Sequence, residues 1–146
     1  MTNISFVTFL SEKFSNFPID VIEKDATFSM PSENDDGHIE YKKTLMLASE
    51  QKLQQYATQM IWRIGQNLDS NQAVYYIGVE DDGKICGLTQ DQVVDNIGRF
   101  VDLCKIASTT ILNLEIFTTD TKFLCLHIIV HGKSHQEFDY DFGDSV

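Results

Sequence analysis

A chain of 146 residues, 42% hydrophobic and 11% aromatic, is long and apolar enough for one domain with a real core, which excludes intrinsic disorder. No apolar run reaches the roughly 18 residues of a membrane span, and Asn3, Ser5, Thr8 and Ser11 break up the N-terminal apolar residues that a secretory leader would need. The net charge of −11 opposes binding to a phosphate backbone and favours contact with a basic protein partner. Three cysteines, Cys86, Cys104 and Cys125, lack CxxC spacing and read as buried thiols of a reducing, cytoplasmic compartment.

Residues 1–30 form an arm. Phe6, Phe9, Leu10, Phe14 and Phe17 fit one face of a helix that Pro18 ends. Such a face either folds onto the chain's own core or docks on a partner. Pro31 to Gly37 is a loop by composition, without the spacing of a calcium loop. The α+β domain is expected over residues 31–133. Its first strand is predicted at His38 to Leu47, with Ile39, Tyr41, Lys43, Leu45 and Leu47 on one face and Glu40 and Lys42 on the outward one. Ser49 is an N-cap for a helix whose stripe is Leu53, Tyr56, Ala57, Met60, Ile61 and Ile64, with Gly65 as its stop. Trp62 flanks that stripe, either covering the helix edge or standing out as a contact residue.

Ala73 to Leu88 is the stretch around which the rest is arranged. Alternation through Val79, an Asp82-Gly83 turn and a short return through Ile85 predict a β-hairpin. Gly78 and Gly87 mark bulges or close approaches. Thr89 and Gln92 fit a capping box before a second helix with Val93, Ile97, Phe100 and Cys104, in which Gly98 is expected to allow close approach to the sheet. Two alternating strands follow, at Thr110 to Phe117 and Phe123 to His131, and then an acidic tail over residues 134–146. The order β-α-β-β-α-β-β predicts a two-layer α+β domain, with a mostly antiparallel sheet and two helices on one face.

Some tempting chemistry fails on spacing. Gly132-Lys133-Ser134 would need a glycine where His127 stands, inside a strand, so no phosphate loop is expected. Cys125, His127 and His131 share a strand face, but alternate strand residues lie about 6–7 Å apart and do not converge on zinc. No metal or other cofactor is therefore expected. Asp35, Glu40, Asp81 and Asp82 could approach one another, and grouped carboxylates can bind a divalent ion and cut phosphodiesters; equally, turns favour acids because acids favour water.

Met30-Pro31, Asp36-Gly37-His38-Ile39-Glu40-Tyr41-Lys42, Gln59-Met60-Ile61-Trp62-Arg63-Ile64 and Tyr76-Ile77-Gly78-Val79-Glu80-Asp81-Asp82-Gly83 occur in order, followed by Gly87-Leu88-Thr89. This arrangement, from Met30 to Gly132, resembles the N-terminal domain of the GTP-binding protein 1 and 2 family, translational GTPases related to elongation factor Tu. The resemblance implies an accessory module for translation or RNA metabolism, acting through a protein partner and by analogy RNA or the ribosome. It implies no GTP binding here, because the GTPase core is not part of the resemblance. A more remote likeness is to the AlbA-like domains of Schlafen proteins. That one implies a metal-dependent RNase using Asp35, Glu40 and Asp81 or Asp82, although Asp-Asp-Gly replaces the Glu-Ser start of those enzymes. A third expectation is a stand-alone regulator that binds its partner through Phe6, Phe9, Phe14, Phe17 and Trp62.

Overall fold

The computed structural model describes residues 3–34, 37–67 and 69–132; Asp35, the acidic tail and the Lys133 of the Gly-Lys-Ser run lie outside the described residues. The elements are α1 (Asn3–Lys13), β1 (Ile19–Glu23), β2 (Ile39–Lys42), α2 (Glu50–Gly65), β3 (Gln72–Ile77), α3 (Gln90–Ala107), β4 (Thr110–Thr118) and β5 (Phe123–His131). They build a two-layer α+β domain on one five-stranded sheet of order β1-β4-β5-β3-β2. The central ladders, β4 to β5 and β5 to β3, are antiparallel, and both outer ladders are parallel. Among the described residues, no helix is long and apolar enough to cross a membrane.

Alternation positions the main core. Ala73, Tyr75 and Ile77 of β3, Leu114 and Ile116 of β4, and Leu126, Ile128 and Val130 of β5 are buried in one cluster with Leu53, Met60 and Ile64 of α2 and Val93, Ile97 and Phe100 of α3. The helix starts follow their caps. Ser49 Oγ accepts from Lys52 N at 3.1 Å, and Thr89 and Gln92 close the expected capping box. A left-handed Ser108 closes the end of α3.

The first thirty residues are more than an arm. Phe6 and Leu10 of α1 are buried in the main core, with the Phe6 ring 5.3 Å from that of Phe123. β1 then joins the sheet parallel to β4. The helix expected in residues 1–30 thus folds onto the chain's own core, and the unexpected feature is the edge strand that follows it. Irregular periodicity hid β1, because an edge strand buried on its helix side only needs Ile19 and Val21 to alternate.

The central hairpin forms only in part. Gly83, at φ 94°, donates to Glu80 O at 2.8 Å, and Cys86 N donates to Gly78 O at 2.8 Å, so the turn is present. The return limb makes only single bridges, Val79 to Ile85 and Leu88 to Phe123, and never becomes a sheet strand. Gly78 is the cause. Its φ of 101° turns the chain out of the sheet plane, against Leu124 and Cys125, and carries Val79 and Ile85 onto the opposite face. There they join Tyr41, Phe117, Leu124 and Cys125 in a second, smaller core that Phe28 and Met30 help to cover.

Three further expectations are corrected. β2 stops at Lys42, because Asn96 Oδ1 of α3 captures the Leu45 N–H at 2.7 Å, and Leu47 is exposed. Ile61 is exposed and Arg63 takes the buried position on α2. Gly98 makes no close approach: a side chain there would meet open space.

Truncating a ring wholly inside a core costs about 3–5 kcal/mol, whereas an exposed one costs little. Phe6→Ala should therefore lower the urea-unfolding free energy by about 3 kcal/mol or more. Phe9→Ala, on the same helix but 42% exposed, should lower it by less than about 1 kcal/mol.

Candidate functional site

β2 is a short strand read on both faces. Glu40 and Lys42 point toward the helices and Tyr41 toward the second core. α2 leaves β2 and returns beside it into β3, which brings its last turn under Glu40. There Arg63 Nη2 and Nε lie 2.7 and 2.8 Å from Glu40 Oε2, with the residues only 6% and 7% exposed. Arg63 Nη1 donates to Gly37 O at 2.9 Å and to Asn34 O at 3.5 Å. Lys42 Nζ approaches the other oxygen of Glu40 at 3.4 Å while donating to Gln59 Oε1 at 3.2 Å and lying 3.8 Å from the centre of the Tyr56 ring. Both carboxylate oxygens of Glu40 thus face cations.

The loop before β2 is tied to the hairpin tip rather than left in solvent. Glu33 N donates to Asp81 O at 2.7 Å, and Ser32 Oγ to Asp82 O at 3.3 Å. The Glu33 carboxylate accepts from Tyr41 N, and Tyr41 Oη donates to Pro31 O at 3.0 Å. A Cβ on Gly83 would stand 2.4 Å from Met30 O, so the turn glycine is required by packing as well as by its φ. Burial pushes the Glu33 carboxyl above its ordinary value; the Tyr41 N–H pulls it back, and the charges of Glu40 and Asp81 push it up again.

Of the candidate catalytic carboxylates, Asp35 lies outside the described residues, and Glu40 and Asp82 are engaged elsewhere. Glu40 is paired with Arg63 and Lys42. Asp82 Oδ1 accepts from Lys84 N at 2.9 Å, inside its own turn, and Asp81 is exposed. Among the described residues no group of three or more His, Cys, Asp or Glu side chains could hold a metal ion. Glu33 and Arg63 were not singled out from the sequence. Arg63 stands three residues after Met60, inside the α2 stripe, and that was the available signal.

The other face of the sheet carries one continuous row. The register sets Tyr41 beside Tyr76, Tyr76 beside His127, His127 beside Glu115, and Glu115 beside Asp20. His127 Nδ1 is 2.8 Å from Glu115 Oε1, and its ring lies 4.9 Å from Tyr76 and 5.4 Å from Phe117. Cys125 is buried beneath, and His131 is exposed.

The partner-binding candidates do not form one patch. Phe6 is buried, with Phe9 stacked 6.4 Å away, and Phe14 and Phe17 stack on each other at 6.3 Å, half-buried against the main core. Trp62 stands on α2, 48% exposed, with Arg63 Cζ 5.1 Å from its ring.

Against known proteins, the chain is 48% identical over 90 residues to an uncharacterized protein of Acanthamoeba polyphaga mimivirus, covering 62% of this chain and 45% of that protein. It is 41% identical over 64 residues to GTP-binding protein 2 of Mus musculus and of Homo sapiens, covering 44% of this chain and 10% of each of those proteins. The chain thus spans less than half the length of these relatives. No protein-family model matches it, and no solved structure does. The link to GTP-binding protein 2 is a shared segment, and the comparisons give no Schlafen relative.

Two measurements check this geometry. The folded state favours protonated Glu33, so its stabilising contribution is complete below the ordinary glutamate pKa and is lost as pH rises through the raised folded value. Glu33→Gln, which keeps an acceptor for Tyr41 N, should match wild type in urea midpoint near pH 3.5 and exceed it at pH 7. Burial also pushes the thiols of Cys104 and Cys125 up to about 11 and about 12, while Cys86 is exposed, contrary to expectation. A disulfide-exchange reagent at pH 8 should titrate one thiol in the native protein and all three in denaturant.

Proposed function

We propose that this chain is a non-catalytic accessory module that works by protein contact and is related to a segment of GTP-binding protein 2. The observation that carries the reading is the 41% identity over 64 residues with that protein. The occupation of Glu40 by Arg63 and Lys42 supports it, because a carboxylate with a cation against each oxygen is poorly placed to bind a metal. The acidic surface fits a basic partner, with RNA or the ribosome approached through that partner. Free thiols suit a cytoplasmic setting.

The test is incubation of the purified chain with GTP and, separately, with labelled transfer RNA in manganese. Neither nucleotide turnover nor RNA cleavage above the buffer control is expected. Manganese-dependent cleavage by wild type that disappears in Glu40→Ala would overturn the reading in favour of a nuclease.

A further inference from the structure

The two edges of the sheet are finished differently. At the β2 edge, the Tyr41 N–H is taken by the Glu33 carboxylate, and the Tyr41 hydroxyl is bonded to Pro31 O. Residues 31–33 therefore lie across that edge, as folds that suppress strand addition arrange it. At the β1 edge the ladder to β4 uses the backbone of alternate residues. Leu114 N donates to Pro18 O at 3.0 Å, and Lys24 N donates to Thr118 O at 2.7 Å. The alternation of a parallel ladder then turns the N–H and C=O groups of Ile19, Val21 and Glu23 away from β4. Among the described residues nothing hydrogen-bonds to these outward groups.

The chemistry beside this open edge is acidic. Asp20, Glu23, Asp25 and Asp120 are all exposed. The neighbouring Asp120 carboxyl, through hydrogen bonding and then charge, pushes the Glu23 carboxyl above its ordinary value. Neighbouring carboxyls at the surface are relieved by a cation placed between them. Of the two lysines at this end, Lys24 is committed to the rings of Phe117 and Phe28, at 4.3 and 5.2 Å, which leaves Lys122 in the β4–β5 turn. A second copy of the chain would bring another net −11 to the same edge.

We infer that β1 accepts an extended segment of a protein partner as a sixth strand, and that this segment alternates basic with β-branched apolar residues. Backbone bonds to Val21 and Glu23, the accessible members of that outward row, supply the affinity of such an addition, and lysine or arginine against Glu23 and Asp120 supplies its selectivity. The inference rests on the reading of the chain as a contact module and gives that module its surface.

The test uses the full chain and a synthetic nine-residue peptide alternating lysine and valine, with its glutamate–valine counterpart as control. Amide resonances and exchange rates of the protein are followed by nuclear magnetic resonance. The basic peptide should shift and protect the amides of Val21 and Glu23, and the acidic peptide should not. Val21→Pro removes an outward N–H that β4 does not use, and it should abolish the effect. Should Val21→Pro fail to fold, Asp120→Lys, an exposed turn change, should weaken basic-peptide binding severalfold at unchanged melting temperature. Equal responses to both peptides, or protection of β1 by self-association without peptide, would overturn the inference. Basic-peptide binding at other residues would overturn the β1 surface and leave the contact-module reading standing.

Discussion

A guanidinium inside a protein must be satisfied on every side or the fold will not keep it, and Arg63 shows how much one such demand can organise. It faces Glu40 of β2 and the carbonyls of Asn34 and Gly37, so one side chain of α2 fixes a strand and the loop that leads into it. That loop in turn is tied to the Glu80–Gly83 turn through Glu33 and Ser32. Helix, edge strand, loop and hairpin tip are thereby one cooperative unit. Removing Glu40 would leave the Arg63 guanidinium buried without a counterion, a loss of about 3–5 kcal/mol, and removing Arg63 would leave Glu40 with Lys42 as its remaining cation.

The same pairing bears on whether this site could do chemistry. A nuclease carboxylate needs free lone pairs for a metal or a water. Glu40 has a cation against each oxygen, and Asp82 spends its side chain on Lys84 N within the turn. What the structure leaves available is backbone at the β1 edge and a charged, partly aromatic surface. On the proposed reading these are the means of contact.

How much of this the sequence disclosed depended on the range of the interaction. Ser49, Thr89 and Gln92 act on backbone within three residues, so the caps were readable. The Asp82-Gly83 turn was readable too, because it rests on local conformation. The alternation of β4 and β5 is long enough to stand without context. By contrast, the buried side of Glu40 depends on Arg63, 23 residues away, and a short strand with one charged face reads as solvent-exposed until the helix above it is placed. β1 is legible only once its ladder to β4, almost a hundred residues on, is known. Gly78 was recognised as a special position. Its consequence, a hairpin turned out of the sheet, depends on Leu124 and Cys125, which come much later in the chain.

The most direct test of the account is a double-mutant cycle on Glu40 and Arg63, read as urea-unfolding free energies at pH 7 for Glu40→Gln, Arg63→Met and both together. Each single change should destabilise and the pair should recover much of the loss, with a coupling energy of about 2 kcal/mol or more. Catalytic carboxylates are commonly held at a cost to stability. A Glu40→Gln protein more stable than wild type, with no coupling to Arg63, would contradict the claim that this carboxylate serves the fold.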